Sequence, residues 1–161
     1  MTRQFKHRPI PRHESLAPLS RDHYIGLVQA RRLCQAAAAD PASRRKTLAA
    51  FADAWRHEIA VHFEDEERLL LPRAEPADGE RLRAEHAALR DLAGQALAER
   101  REVDPDPQVL ERLGSQLNAH IRWEERELFN RVQESLGVEE RSALQDRTAL
   151  LEASRRRSRT G

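Results

Sequence analysis

Apolar positions along the chain recur in steps of three and four, the period of one helix face rather than the alternation of a strand. One such stripe runs through Phe51, Trp55, Ile59, His62, Glu66 and Leu69 or Leu70, and another through Leu110, Leu113, Leu117, His120, Glu124 and Leu128. Two shorter stripes hold Leu19, His23, Leu27, Ala30 and Cys34, and Leu82, His86, Leu89, Ala93 and Ala96. Capping and helix-breaking residues set the limits. Ser20 reads as the N-cap of a first helix over 21–39. Asp40-Pro41 and Asp106-Pro107 each read as a cap followed by proline at the first helical position. The second helix then runs to Leu71. Glu75 to Gly79 read as a turn before a third helix over 79–102, and Gly137 as the stop of the fourth. A weaker helix is expected over 138–153, and a disordered basic tail over 155–159. The pattern predicts an all-α fold, an antiparallel up-down-up-down four-helix bundle with a short C-terminal helix. Residues 1–18 read as an extended, basic, proline-containing N-terminal arm, residues 19–136 as the bundle, and residues 137–161 as the short helix and basic tail.

Composition narrows the function. The 161 residues are 34% charged and 4% aromatic with a net charge of +1, so no global field draws the chain to nucleic acid or an acidic membrane. Cys34 is the single cysteine, which excludes an internal disulfide framework and a cysteine-based zinc site. No apolar run reaches membrane-spanning length and the N-terminus lacks an apolar signal core, so a cytoplasmic location is expected.

The unusual feature is that every inward stripe carries a histidine, and two carry a glutamate as well. Burying an ionisable group without compensation costs several kcal/mol, roughly, so four imidazoles and two carboxylates need a shared partner. At about 1.5 Å per residue the six groups fall at one depth of the bundle to within roughly two turns. His and Glu at i and i+4 lie about 40° apart on a helix and can reach one ion pair. Imidazole suits iron, copper, zinc and nickel, and carboxylates can bridge two cations. Four histidines and two bridging glutamates supply at most eight bonds, which leaves an open and therefore reactive site. A ferritin-type site would need Glu three residues before His on an inward face, and that spacing is absent. His57 lies on another face, and His7 and His13 belong to the arm. Glu67 and Glu125 point about 140° from the histidines and read as surface charges. Cys34 and Trp55 read as core, and Tyr24 and Trp123 as candidates for outer contacts of the site.

The two His/Glu segments repeat His, Glu, Glu, Arg and Leu at matching places, and Asp22-His23 matches Glu85-His86, as in a duplicated helical hairpin. The segments LSRDHYIGL (19–27), HFEDEERLLLP (62–72), EHAALRDL (85–92) and HIRWEERELF (120–129) resemble the hemerythrin-like, HHE cation-binding family over about residues 16–136. The resemblance implies a four-helix bundle with a di-iron centre, bridged by oxo, hydroxo or water, on His23, His62, Glu66, His86, His120 and Glu124. Manganese and zinc are alternatives to iron. Oxygen-carrying hemerythrins have a fifth histidine one turn further along the third helix, where this chain has Arg90, so metal binding is expected without reversible oxygen carriage. The expected role is binding or sensing of a small oxidant (O2, NO or peroxide) or of iron. The alternatives are a di-iron oxidoreductase acting on peroxide and an interaction protein with a structural metal.

Overall fold

The computed structural model describes residues 12–160. Five helices account for most of it: α1 (Ala17–Ala37), α2 (residues 41–70), α3 (Pro76–Glu99), α4 (residues 107–135) and α5 (Val138–Thr160). The described residues include no strand.

The alternating direction of the helices can be read from what each buries. The apolar core is divided into two clusters. One holds Ala30 and Leu33 of α1, Phe51 and Ile59 of α2, Leu89 and Ala93 of α3, and Leu113 and Leu117 of α4. The other holds Leu19 of α1, Leu69 and Leu70 of α2, Leu82 of α3, and Leu128 and Phe129 of α4. The chain runs from the second cluster to the first in α1 and α3, and in the opposite sense in α2 and α4. The bundle is therefore up-down-up-down. His23, Glu66, His86 and Glu124 lie between these groups on their helices, so a polar layer separates two apolar ones.

The caps explain the boundaries. Asp40 accepts a hydrogen bond from the Ser43 amide at 2.8 Å, and Asp106 accepts one from Gln108 at 2.8 Å, each followed by proline. α3 opens at Pro76, three residues before the expected start, because Glu75-Pro76 repeats the same proline entry. α1 also opens early, at Ala17, with Pro18 accommodated in a first turn whose amides have no helical acceptor. Ser20 is therefore inside the helix and is not its N-cap. Residues 12–18 are not an extended arm: His13 offers its amide to the Gln133 side chain at 3.1 Å and its carbonyl to the amides of Leu16 and Ala17. Residues 1–11, including His7, lie outside the described residues. α4 ends through extended Leu136 (φ −83°, ψ 132°), and Gly137 takes no left-handed conformation.

The C-terminal helix is the largest departure. It has 23 residues, and the basic stretch 155–159 continues it instead of forming a disordered tail. Leu144 and Thr148 are buried, and Arg155 and Arg159 find carboxylates on α1 and α2. α2 and α4 each contain one π turn, at Trp55–Ile59 and Glu124–Leu128. No described helix is long and apolar enough to cross a membrane.

α1 and α4 approach closely at Gly114. A Cβ there would come within 2.7 Å of the Ala30 carbonyl oxygen and 2.6 Å of Cys34 Sγ, beside which the half-buried Cys34 sits. A Cβ at Gly94 on α3 would have nothing within 4 Å. Gly114→Ala should therefore destabilise the bundle by about 1–3 kcal/mol through overpacking. Gly94→Ala should stabilise it by up to about 1 kcal/mol through helix propensity. Urea unfolding of both variants checks the opposite signs.

Candidate metal centre

α1 contributes His23, α2 His62 and Glu66, α3 His86, and α4 His120 and Glu124. All six side chains are buried, and Glu66, His86 and Glu124 have no exposed surface. The structure brings together all six residues singled out from the sequence. Their ligand atoms form two groups, His23, His62 and Glu66 in one, and Glu66, His86, His120 and Glu124 in the other, with the atoms of each group within 4.8 Å of one another.

The two carboxylates each face both groups. Glu66 turns Oε1 to His62 Nε2 (2.8 Å) and His23 Nε2 (3.1 Å), and Oε2 to His86 Nε2 (3.3 Å). Glu124 turns Oε2 to His23 Nε2 (3.0 Å), and Oε1 to His120 Nε2 (3.0 Å) and His86 Nε2 (3.7 Å). Four imidazole Nε2 atoms and four carboxylate oxygens thus converge, two nitrogens to a side, with each glutamate spanning the sides. Several of these atoms are buried without a hydrogen-bond partner: Nε2 of His62, His86 and His120, Oε2 of Glu66, and both oxygens of Glu124. Orphaned acceptors at the centre of a bundle are costly unless a cation completes them. The donor set fits a pair of metal ions.

The outward Nδ1 atoms are also matched to carboxylates. His23 Nδ1 is 2.6 Å from Glu125, His86 Nδ1 is 2.9 Å from Glu67, and His120 Nδ1 is 2.7 Å from Glu85. His62 Nδ1 faces Asp22 at 3.4 Å. An Nδ1–H donated to a carboxylate fixes the tautomer and leaves Nε2 free to ligate. The pairing follows an internal two-fold pattern. The acid before His23 serves α2 and the acid before His86 serves α4, whereas the acid after Glu66 serves α3 and the acid after Glu124 serves α1.

Glu67 and Glu125 are therefore not surface charges, contrary to the expectation from helix angle. They do point away from the histidines of their own helix, but the adjacent helix presents another histidine there. The adjacency of an acid to each of His23, Glu66, His86 and Glu124 was the available signal. Tyr24 is 73% exposed and takes no part, whereas Trp123 is buried with its ring 6.0 Å from His120. His57 is exposed, as expected, and its Nδ1 bonds the Asp53 carbonyl. Phe63 lies flat on His86 at 4.0 Å between ring centres, and Phe129 on His23 at 5.2 Å, which restricts the imidazoles from the apolar side.

A family model, the hemerythrin HHE cation-binding domain, matches residues 19–132. The chain belongs to this family. No curated protein and no solved structure gives a significant match. The matched span covers α1 to α4 and contains all six central residues of this hemerythrin-like domain. Arg12 and α5 lie outside it.

The electrostatics suit a cation site. Burial opposes the charge on His23, His86 and His120, yet the Glu66 and Glu124 carboxylates overcome it. They raise His23 well above the ordinary imidazole value, raise His86, and push His120 up to about 10. Burial and the neighbouring Glu66 both oppose ionisation of Glu124, but His120 and His23 hold it at about 2. Glu66 is likewise held well below its usual range, against burial, by His62, His23 and His86. A metal bound by these Nε2 atoms would have to displace any protons they carry, so its affinity would fall at low pH.

If the carboxylates behind the histidines orient them, Glu67→Gln and Glu125→Gln should each weaken metal affinity by about 10- to 100-fold. Glu127→Gln, on an exposed side chain paired with Arg131, should leave it unchanged. Competition against a metal-binding dye gives the three affinities.

Proposed function

We propose that the hemerythrin-like centre holds two iron ions, His23 and His62 on one, His86 and His120 on the other, with Glu66 and Glu124 bridging. The observation that carries this reading is the two-and-two division of nitrogens about two carboxylates, each turned to both sides. A mixed imidazole–carboxylate set suits iron, and manganese or zinc can use the same donors. Two six-coordinate ions have twelve positions between them. The four Nε2 atoms and four carboxylate oxygens make eight donors, so the remaining positions fall to water, a bridging oxygen or an exogenous ligand.

The pair then binds or senses a small oxidant such as O2, NO or peroxide, or handles iron itself. Size supports a small ligand. A cavity of about 10 Å³ adjoins His23 and His62, lined by Gly26, Ile59, Phe63, Leu117 and Ile121 as well as Asp22 and Glu58. That is room for about one water-sized molecule on the His23–His62 side of the centre. The chain supplies Arg90 where oxygen carriers have a further histidine, and Arg90 bonds Glu67 at 2.8 Å. This half of the centre gains a cation near a carboxylate instead of a ninth donor.

Protein loaded under nitrogen should contain about two iron ions per chain, and a content of zero or one would refute the dinuclear reading. His62→Ala and His120→Ala should lower the content sharply, and His57→Ala should not. Optical spectra after adding oxygen, nitric oxide or peroxide separate the roles. A stable adduct supports binding, peroxide turnover supports an oxidoreductase, and no response supports a structural metal. Loading should also raise the melting temperature, by mass action worth about 3–4 kcal/mol at a hundred- to thousandfold excess over Kd. Glu66→Gln should lose most of that gain.

A further inference from the structure

Behind the four carboxylates lies a layer of arginines, and there the two halves of the centre differ. Glu67 is held by Arg90 (2.8 Å) and Glu85 by Arg81 (2.6 Å), both from α3 within the bundle. In the other half, Glu125 is held by Arg12 (2.8 Å), from the segment before α1, and Asp22 by Arg155, from α5. The internal two-fold pattern of histidines and carboxylates is thus completed on one side by the bundle and on the other by both ends of the chain.

His62 is the least firmly held of the four histidines, so a small movement of its outer carboxylate matters most there. Its Nδ1 is 3.4 Å from Asp22 and has no hydrogen-bond partner, whereas the other three histidines have close ones. Where Asp22 is held therefore decides how His62 is oriented. Arg155 reaches Asp22 of α1 with one terminal nitrogen and Asp65 of α2 with the other, a forked contact that a lysine cannot reproduce. Asp65 is 3% exposed and has Arg68 as its other cation.

Resting on the two-ion reading above, we propose that α5 is a working part of the metal centre, and that Arg155 is a positioning residue holding Asp22 behind His62. The attachment of α5 changes character along its length. Leu144 and Thr148 anchor it apolarly, whereas from residue 152 onward it is fixed by ion pairs: Glu152 with Arg21 (2.6 Å), Arg155 with Asp22 and Asp65, and Arg159 with Glu58 (3.0 Å). The Glu152–Arg21 and Arg159–Glu58 pairs are largely exposed, worth about 0–1 kcal/mol each and screened by salt. Arg155, seated on the buried Asp65, is therefore the contact that holds the last turns to the bundle, and they leave it only when that fork opens, with Leu144 still in place. Asp22 and Glu58, gripped by Arg155 and Arg159, also border the small cavity beside His62. One movement would release His62 from its support and uncover that cavity.

The test is iron release. Full-length protein is loaded with iron(II) under nitrogen, and an excess of a chromogenic chelator is added. Wild type should release two ions. Arg155→Ala should speed the release of one by about tenfold, the lower end of the effect of outer-contact substitutions, and leave the other unchanged. Asp22→Asn should do the same, and the double variant should add nothing further, because both act through one contact. Arg156→Ala, on a neighbouring exposed side chain, should match wild type. Equal acceleration of both ions, wild-type rates in Arg155→Ala, or additive effects in the double variant would overturn the proposal. If Arg155→Ala does not fold, Arg155→Lys decides, since it keeps the charge without the fork: faster release of one ion supports the proposal and wild-type rates overturn it. Fewer than two ions in wild type overturns the two-ion reading and this proposal together. Two ions with Arg155→Ala unaffected overturns this proposal alone.

Discussion

Glu66 and Glu124 face one another in the middle of an apolar bundle, and much of the structure can be understood as a response to that pair. Each is fully buried, and their mutual repulsion adds to the cost of desolvation. Two buried carboxylates that repel one another need positive charge from several directions. Four helices each deliver one imidazole to the layer, and the imidazoles in turn require carboxylates behind them. Those carboxylates require arginines. Charge therefore alternates outward from the centre, from glutamate to histidine to acid to arginine, until the last members reach solvent. A metal would enter at the innermost point of this alternation, where orphaned oxygens and nitrogens already point at one another.

The apolar clusters on either side make that layer tolerable. Leucines and phenylalanines above and below fix the relative heights of the four helices, so the ligand atoms are brought together by packing that does not involve them. Such support from packed neighbours lets a site be held in geometry before its ligand arrives. Phe63 and Phe129 belong to the clusters and also stack on histidines, which couples the apolar packing to the orientation of the ligands.

Much of this was legible in the sequence, and the failures have physical reasons. The four stripes, the Asp-Pro starts and the six central residues follow from period, caps and depth, because each depends on one helix at a time. Glu67 and Glu125 were misplaced because their partners are on the next helix, and a helical wheel treats every direction away from its own stripe as solvent. Arg155 was assigned to a disordered tail because its segment is strongly basic, and the carboxylates that order it, Asp22 and Asp65, lie 133 and 90 residues earlier. The π turns were hidden in plain spacing. Consecutive steps of four, at Phe51, Trp55 and Ile59 and again at His120, Glu124 and Leu128, drift about 40° each on an ideal helix. A turn with i to i+5 bonding absorbs that drift, as between Trp55 and Ala60 and between Glu124 and Phe129.

The same reasoning explains why the two halves need not behave alike although their inner atoms match. Repetition of a helical hairpin gives both halves the same histidines and the same acids, since these lie within the repeated unit. The arginines do not follow the repeat. Arg81 and Arg90 belong to α3 and move with the bundle, whereas Arg12 and Arg155 come from segments outside the hemerythrin-like match. A charge fixed to the bundle tunes its half of the centre permanently. A charge supplied by α5 reaches the other half only through the ion pairs that hold its last turns against α1 and α2. An inner site that is close to symmetric thus acquires two unequal halves from its periphery alone.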